Sequence, residues 1–200
     1  MEISNLNFPI EKILMAQIHL ALIHYPVLDK NKDVVSTSIT NFDIHDISRS
    51  ARTFGVKTFY IVTPTLSQHE FAQRIIEHWE KGYGSVYNPN RKEALELVKI
   101  KSDLFEVFED IEKMSGSQPI TIGTSAKTHY KSITFKNLYE LCKKDVDICL
   151  IFGTGWGIDE TLMADFDYIL EPIKGVGDYN HLSVRSAVAI ILDRISQNKA

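Results

Sequence analysis

Short apolar strand patterns alternate with longer helical patterns along this chain, and this alternation constrains its fold more than any other feature. Runs rich in β-branched and aliphatic residues predict strands at 18–25, 57–62, 119–122, 146–152 and 167–170. Apolar residues at helical spacing predict helices at 43–54, 67–81, 103–114, 135–143 and 181–196. Strands that alternate with helices form a mostly parallel sheet with helices on both faces. The sequence therefore predicts an α/β fold.

The length and composition of the chain fit one globular domain. A chain of 200 residues buries roughly 70% of the surface that it would expose when unfolded. A hydrophobic fraction of 44% and a charged fraction of 24% are average for globular proteins and exclude the disordered and fibrous classes. Neither a repeat nor a low-complexity linker marks a boundary. We expect residues 1–200 to form a single domain.

The apolar stretch at residues 10–28 resembles a signal peptide or a membrane span only at first sight. Glu11, Lys12 and His19 interrupt it too often for either kind of segment, so we expect an intracellular, cytoplasmic protein. The two cysteines, Cys142 and Cys149, lack the spacing of a redox motif or a zinc site. We expect both to be buried thiols.

The charge of the chain limits how it can contact nucleic acid. A net charge of −4 and a pI near 6.0 provide no overall basic field, so any contact with RNA must be local. Taken alone, short basic clusters are usually solvated surface. The two candidate clusters are Lys127, His129 and Lys131 in the loop SAKTHYKS, and Arg49, Arg52 and Lys57.

Polar, glycine-containing loops follow three of the predicted strands. They are GTSA at 123–126, GTGWGIDE at 153–160 and EPIKGVGDYN at 171–180. In parallel α/β sheets, ligands bind beyond the carboxyl ends of the strands, and glycines let the backbone approach a ligand closely. A single loop of this kind could be a tight turn only. Three such loops after different strands predict a shared ligand site.

Two common ligand sites and a metal site do not fit this sequence. A dinucleotide site requires GxGxxG in the first βαβ unit, whereas GTGWG lies late in the chain and Ile158 stands at the third glycine position. The chain has no GxxxxGK[ST] phosphate loop. It also lacks an HExxH motif, and His69 and His78 do not share a helix face. We expect no metal.

The segments IFGTGWGI and YILEPIKGVGDYNHLSVRSAVAIIL resemble the C-terminal half of the SPOUT, or α/β-knot, RNA methyltransferases. The resemblance covers residues 120–192. It implies an S-adenosylmethionine-dependent enzyme that acts on an RNA such as tRNA or rRNA, forms a homodimer and ends in a C-terminal trefoil knot. Because knotted chains are almost absent from proteins, only the resemblance implies the knot.

The resemblance also implies which residues hold the cofactor. In that family the glycine-rich segment, the segment after the next strand and the start of the last helix enclose S-adenosylmethionine, largely through backbone groups. The residues implied as cofactor-binding are Gly123, Thr124, Ser125, Phe152, Gly153, Thr154, Gly155, Gly157, Ile169, Leu170, Ile173, Gly175, Gly177, His181, Leu182 and Ser183.

An upstream segment, NFDIHDISRSARTFGVKTFYIV, is similar to the one that opens the ribose-methylating branch of the family. The similarity places Arg49 at the catalytic arginine and implies methylation of a ribose 2′-hydroxyl. Asp43 stands where that branch has an asparagine, which departs from the pattern. Because guanidinium groups are poor bases, we expect Arg49 to act electrostatically. The alternative is a surface ion pair between Arg49 and Asp43 or Asp46.

Other functions stay open from the sequence. Asp178 and His181 flank the third loop and would be the catalytic bases if the target were a guanine ring nitrogen. Asp178, Asn180 and Ser183 are also natural helix caps. A second alternative is a non-catalytic module of the same fold that binds RNA or a partner protein. A third is a doubly wound nucleotide-binding enzyme, for which the glycines are misplaced.

Overall fold

The computed structural model describes residues 16–177 and 179–196 and shows the predicted α/β fold. Its strands are β1 Gln17–Ile23, β2 Val27–Leu28, β3 Val34–Val35, β4 Thr58–Val62, β5 Val98–Lys101, β6 Ile120–Thr124, β7 Ser132–Ile133, β8 Asp147–Gly153 and β9 Tyr168–Leu170. Its helices are α1 Asn41–Thr53, α2 Leu66–Glu80, α3 Tyr83–Tyr87, α4 Pro89–Leu95, α5 Leu104–Ser115, α6 Phe135–Cys142, α7 Glu160–Asp165 and α8 Val184–Ser196.

The main sheet has 7 strands in the order β5-β4-β1-β8-β6-β9-β7. Every pair of neighbours is parallel, so the carboxyl ends of the strands lie along one side, called the carboxyl edge below. β1 and β8 form the centre, with Gln17 opposite Asp147 and Ile23 opposite Gly153. β2 and β3 pair separately as an antiparallel hairpin, called the β2–β3 hairpin below.

Helices cover both faces of this sheet, which confirms the predicted layering. One face packs against α1, α2, α4, α6 and α8, which contribute buried residues such as Ile44, Leu138 and Val188. The other face packs against α5 and α7, which contribute Val107 and Met163. The sheet is therefore buried on both sides, as parallel sheets require.

The closing helix α8 begins at Val184, later than the predicted start at residue 181. The hydroxyl of Ser183 accepts a hydrogen bond from the backbone N–H of Ser186 at 3.3 Å, which is the pattern of a helix N-cap. The apolar residues of α8 divide into a buried stripe and a half-buried one. The buried residues are Val188, Ile191, Leu192 and Ile195, and the half-buried ones are Val184, Ala187, Ala189 and Ile190.

Both cysteines are buried, as the sequence predicted. Burial in apolar surroundings raises the pKa of the Cys142 thiol to about 12 and raises the pKa of the Cys149 thiol as well. Because the thiolate is the reactive form, both side chains are inert at neutral pH.

Within residues 16–177 and 179–196, none of the helices has the length and apolar character needed to cross a membrane. Residues 10–15 of the N-terminal apolar stretch lie outside the described part of the chain.

Candidate functional site

The three predicted loops meet at the carboxyl edge because β8, β6 and β9 are neighbours in the sheet. Neighbouring strands lie about 4.8 Å apart, so the loops that follow them start close together. Thr124 Oγ1 at the end of β6 donates a hydrogen bond to Ile151 O of β8 at 3.0 Å. Asn180 Nδ2 donates to Ala126 O at 3.0 Å. The structure thus brings together the segments that the sequence predicted for one site.

The loop at 153–157, called the β8 loop below, is braced by the β2–β3 hairpin. Trp156 N donates to Leu28 O, and Leu28 N donates to Gly157 O, both at 2.9 Å. Gly155 has a φ of 58°, and a Cβ added there would lie 2.8 Å from Leu28 O. Glycine is therefore required at this position both by the left-handed backbone and by the close approach of the hairpin.

A buried polar chain links the end of β1 to the β8 loop. His24 Nδ1 lies 3.1 Å from Thr37 Oγ1, which lies 2.5 Å from Thr154 Oγ1, and Thr154 Oγ1 donates to Ile23 O at 3.2 Å. His24 is fully buried, and burial lowers its pKa to about 4. Its Nε2 atom has no hydrogen-bond partner among the described residues. No sequence pattern connects these positions, because they are distant in the chain.

Apart from Gly155, the glycines implied as cofactor-binding fall into two groups. A Cβ at Gly123 would lie 2.7 Å from Phe166, and a Cβ at Gly153 would lie 2.6 Å from Ile158. These two glycines therefore allow close packing inside the protein. In the second group an added Cβ would make no contact shorter than 3.5 Å, so the backbone is open to a ligand. These residues are Gly157, Gly175 and Gly177.

The apolar residues implied for the site lie mostly in the two cores. Phe152, Ile169 and Leu170 are at most 2% exposed. Ile173 packs against the core on the sheet face that α1 and α8 cover. Their side chains stabilise the strand ends, so a cofactor would contact them through backbone atoms. Leu182 differs, because it is 47% exposed and offers its side chain to a ligand or a partner.

The loop that follows β9 carries His181, one of the two predicted bases. The rings of His181 and Tyr179 meet edge to face at 5.4 Å, and both side chains are exposed. Asn180 bonds to the loop at 123–126, whereas Ser183 caps α8. The predicted capping role of Asn180 is therefore wrong. Asp178, the other predicted base, lies outside the described residues.

Arg49 lies on α1 with its side chain exposed. The neighbouring carboxylates are both paired with another cation, since Arg185 of α8 lies 2.8 Å from Asp43 and 3.5 Å from Asp46. The alternative prediction, a surface pair between Arg49 and one of these carboxylates, is therefore wrong. Arg49 forms no ion pair with any residue that the structure describes.

The basic loop SAKTHYKS is only partly available to RNA. Lys131 Nζ donates to the backbone carbonyls of Ala164 at 2.6 Å and Phe166 at 3.1 Å, so it fastens the end of α7. His129 Nε2 lies 3.1 Å from Ser125 Oγ. RNA contact by this candidate cluster stays a prediction, and these hydrogen bonds use two of the donor positions of Lys131. The lysine of this loop that remains exposed is Lys127.

In the described part of the chain, neither a metal cluster nor the cavity between α1, α2 and α4 coincides with the three loops. Over the described ranges, no group of three or more His, Cys, Asp or Glu side chains is placed to hold a metal ion. A cavity of about 410 Å³ lies between α1, α2 and α4, away from the loops. We place the candidate cofactor site at the loops because they carry the open glycine backbone that a ligand at the carboxyl edge needs.

Comparison with known proteins identifies the family. A family model described as "SAM-dependent RNA methyltransferase" matches residues 17–197. The chain belongs to this family. An uncharacterized protein of Aquifex aeolicus is 47% identical to this RNA methyltransferase over 184 residues, which cover 91% of this chain and 90% of that protein.

A second relative is a much longer protein. A Nitratidesulfovibrio vulgaris protein named tRNA (guanine-N(1)-)-methyltransferase is 42% identical over 178 residues, which cover 89% of this chain and 41% of that protein. The RNA methyltransferase chain described here thus spans about two fifths of that relative.

The fold agrees with the family and confirms the SPOUT resemblance seen in the sequence. The SpoU methyltransferase AviRb from Streptomyces viridochromogenes, solved with AdoMet, matches with a TM-score of 0.58 and 12% identity. The match covers 92% of this chain and 58% of AviRb. At this level of identity the likeness concerns the fold alone.

S-adenosylmethionine is the cofactor of this family, and the carboxyl edge of this chain fits it. Open backbone at Gly157, Gly175 and Gly177 allows main-chain hydrogen bonds to a bound ligand. The unpartnered Nε2 of His24 is a buried polar atom at the same edge. A buried polar group of this kind normally finds a partner, and a ligand or water can supply it.

Proposed function

We propose that this enzyme binds S-adenosylmethionine with the loops at 123–126, 153–157 and 171–183 and transfers the methyl group to a ribose 2′-hydroxyl of an RNA. The cofactor-binding residues are those that the resemblance implied, from Gly123 to Ser183. The backbone of the open glycines supports this assignment. The C-terminal trefoil knot stays a prediction from the family resemblance.

The observation that carries the ribose target is that the Arg49 guanidinium has no carboxylate partner among residues 16–177 and 179–196. This residue stands in the RxAxxFG pattern at 49–55, and Arg185 occupies the two carboxylates that would otherwise neutralise it. A cation without a carboxylate partner is suited to stabilise negative charge that develops on an oxygen. A ribose hydroxyl develops such charge when it attacks a methyl group.

The proposed reaction is an in-line displacement. S-adenosylmethionine supplies a methyl group whose bond to sulfur breaks, with the bonding electrons going to sulfur, as a bond forms to the 2′-oxygen. The hydroxyl proton leaves to water. The loops at the carboxyl edge would align the reacting atoms, and Arg49 would stabilise the charge on the oxygen.

A second candidate target is a guanine ring nitrogen. The name of the Nitratidesulfovibrio vulgaris relative includes guanine-N(1). His181, exposed beside Tyr179 at the third loop, is a group that could accept a ring proton. Ribose and base methylation leave chemically different products, so one experiment separates them.

The test is to incubate the enzyme with total tRNA and S-adenosylmethionine labelled in its methyl group, and then to digest the RNA with alkali. A 2′-O-methyl group blocks alkaline cleavage at its own nucleotide, so the ribose proposal predicts label in dinucleotides. Label in mononucleotides would overturn the ribose target and support the base target. Absence of label in tRNA, and in rRNA incubated in the same way, would favour a non-catalytic binding module.

We also propose that the enzyme is a homodimer that buries the start of α1 and the half-buried stripe of α8. Phe42 is 69% exposed and Leu182 is 47% exposed, while Ile190 is half-buried. Such apolar groups on and beside the neighbouring helices α1 and α8 suit a subunit interface. Sedimentation velocity should show twice the chain mass of 22.8 kDa, and a monomer at all concentrations would contradict the proposal.

A further inference from the structure

The cavity between α1, α2 and α4 is lined by aromatic and cationic side chains that have no role in the proposed cofactor site. Its volume is about 410 Å³, within the range of small-ligand pockets. α1 follows the β2–β3 hairpin and α2 follows β4, so the cavity lies within one helical layer of the sheet, separate from the three loops. The residues that line it are Asn41, His45, Phe71, Arg74, Ile75, His78, Trp79 and Arg91.

Aromatic and cationic groups are concentrated around Trp79. The Arg91 guanidinium lies 4.3 Å from the centre of the Trp79 ring. The rings of His45 and His78 meet Trp79 edge to face at 5.5 Å and 5.2 Å. Phe71 is 42% exposed. Aromatic rings and guanidinium planes are the surfaces on which proteins stack unpaired bases.

The charges in the cavity are uncompensated. Neither Arg74 nor Arg91 forms an ion pair with a carboxylate in the described part of the chain. The buried atoms His45 Nδ1 and Arg91 Nε have no hydrogen-bond partner there. Burial lowers the pKa of His45, and the neighbouring Arg91 and Arg49 lower it further, so the imidazole is neutral at pH 7. The cavity therefore offers stacking surfaces, unused hydrogen-bonding atoms and net positive charge.

We propose that this cavity binds an unpaired nucleobase of the RNA substrate on the Arg91 guanidinium, which itself covers the Trp79 ring, with a neighbouring phosphate on Arg74. The inference rests on the proposed function, because it assumes that the substrate is an RNA. A base supplies polar edges for His45 and Arg91, and the phosphate supplies the missing negative charge. The chain as a whole has a net charge of −4, so a local site of this kind supplies the attraction that the overall field does not.

The first experiment measures the affinity of the full chain for a labelled single-stranded oligoadenylate by fluorescence anisotropy. We expect Arg74→Glu and Trp79→Leu to weaken binding about fivefold or more, the lower limit for loss of one stacked base. Lys136→Glu is the matched control, since Lys136 is also an exposed helical cation but lies on α6. It should change the affinity less than about twofold.

A second measurement keeps the test independent of variant folding. In the Trp156→Phe protein, Trp79 is the remaining tryptophan, because the chain has two. Oligoadenylate should quench its emission, whereas inorganic tripolyphosphate, which has charge but no base, should not. Quenching by both ligands would show a phosphate site without stacking and would overturn the nucleobase proposal.

The outcomes separate this inference from the proposed function. If Arg74→Glu binds oligoadenylate as tightly as the unaltered chain and Trp79 emission does not change, the cavity is not a nucleobase site. The nucleobase site is also ruled out if the unaltered chain does not bind oligoadenylate. The alkaline digestion of methylated tRNA tests the proposed function separately, because it depends on methyl transfer and not on this cavity.

Discussion

At the residue scale, the hydrogen bonds around His24 follow from one carbonyl group. Thr154 Oγ1 donates its proton to Ile23 O, so the proton between Thr37 and Thr154 must come from Thr37. The hydroxyl of Thr37 can then only accept from His24, and the His24 Nδ1 atom is the donor. This tautomer leaves Nε2 as a bare acceptor, which agrees with the lowered pKa of the buried ring.

The first prediction concerns stability at acidic pH. The pKa of His24 is about 4 in the folded protein, below its ordinary value of 6.5, so the unfolded chain takes up a proton first as the pH falls. The stability that the neutral His24 ring contributes to the folded protein is therefore complete above pH 6.5 and is lost as the pH falls towards 4. The free energy of unfolding, measured with urea, should decrease by about 2 kcal/mol from pH 7 to pH 5 through this residue.

The control for this prediction is His24→Asn, which keeps a side-chain donor near Thr37 but does not titrate. This variant should have a weaker pH dependence than the unaltered protein. The exposed His78 serves as a comparison, and His78→Asn should keep the original dependence. An identical pH dependence in His24→Asn and in the unaltered protein would contradict the role given to His24.

The second prediction concerns Arg49. Arg49→Ala should reduce kcat about 100-fold or more, as loss of a transition-state charge stabiliser does, and leave the affinity for S-adenosylhomocysteine unchanged. Arg49→Lys should recover part of the activity. Arg52→Ala is the control, because Arg52 lies on the same helix but pairs with Glu93, and it should keep kcat within about threefold. Equal activities of Arg49→Ala and Arg52→Ala would remove Arg49 from the mechanism.

At the element scale, Arg185 fastens α8 to α1. Its guanidinium lies 2.8 Å from Asp43, a carboxylate that is 6% exposed and also accepts a hydrogen bond from Thr40 Oγ1 at 2.6 Å. This carboxylate stands where the ribose-methylating pattern has an asparagine, and the ion pair gives a physical reason for the difference. An asparagine there would leave Arg185 without its closest charge partner.

The third prediction tests this link. Arg185→Ala should lower the free energy of unfolding by about 1–3 kcal/mol, because it leaves the buried Asp43 carboxylate without its cation. The double variant Arg185→Ala with Asp43→Asn should recover part of the loss. Arg52→Ala breaks an exposed ion pair and should cost less than about 1 kcal/mol. Urea denaturation measures all three, and equal losses in Arg185→Ala and Arg52→Ala would contradict the account.

The fourth prediction concerns the contact between the β8 loop and the β2–β3 hairpin. Gly155→Ala should lower the free energy of unfolding by about 1–3 kcal/mol, because the left-handed backbone disfavours a side chain and the Cβ would meet Leu28 O. Gly177→Ala meets open space and should cost less than about 0.5 kcal/mol. If the two glycine variants are equally stable, the hairpin does not constrain this loop.

The elements missed by the sequence patterns are short or carry charges. β5 has the sequence VKIK, and its two lysines suggest a solvent-exposed loop rather than a strand. In the structure Lys99 and Lys101 lie 2.7 Å and 3.5 Å from the same carboxylate, Asp110. β2, β3 and β7 have two residues each, too few for a period to show. The long strands and helices were predicted within a few residues of their observed ends, because their apolar patterns reflect burial.

At the scale of the whole molecule, the candidate site depends on strand order. β8 lies between β1 and β6, and β9 lies beyond β6, so loops that are distant in the chain start side by side. The glycine-rich loops could be predicted as ligand-binding from their place after strands. A shared site was also predicted, but the strand order that creates it could not be, because local patterns do not specify which strands pair. The contacts at Leu28 and Thr37 also arise only from the assembled fold.

The measurement that tests the central claim most directly is hydrogen–deuterium exchange of the full chain with and without S-adenosylhomocysteine. The account predicts slower exchange in the backbone amides of 123–126, 153–157 and 171–183 when the ligand is bound. It predicts no comparable change in α5, which lies on the opposite helical layer from α1 and α8. Protection confined to the cavity between α1, α2 and α4, with none in the three loops, would contradict the cofactor site proposed for this enzyme.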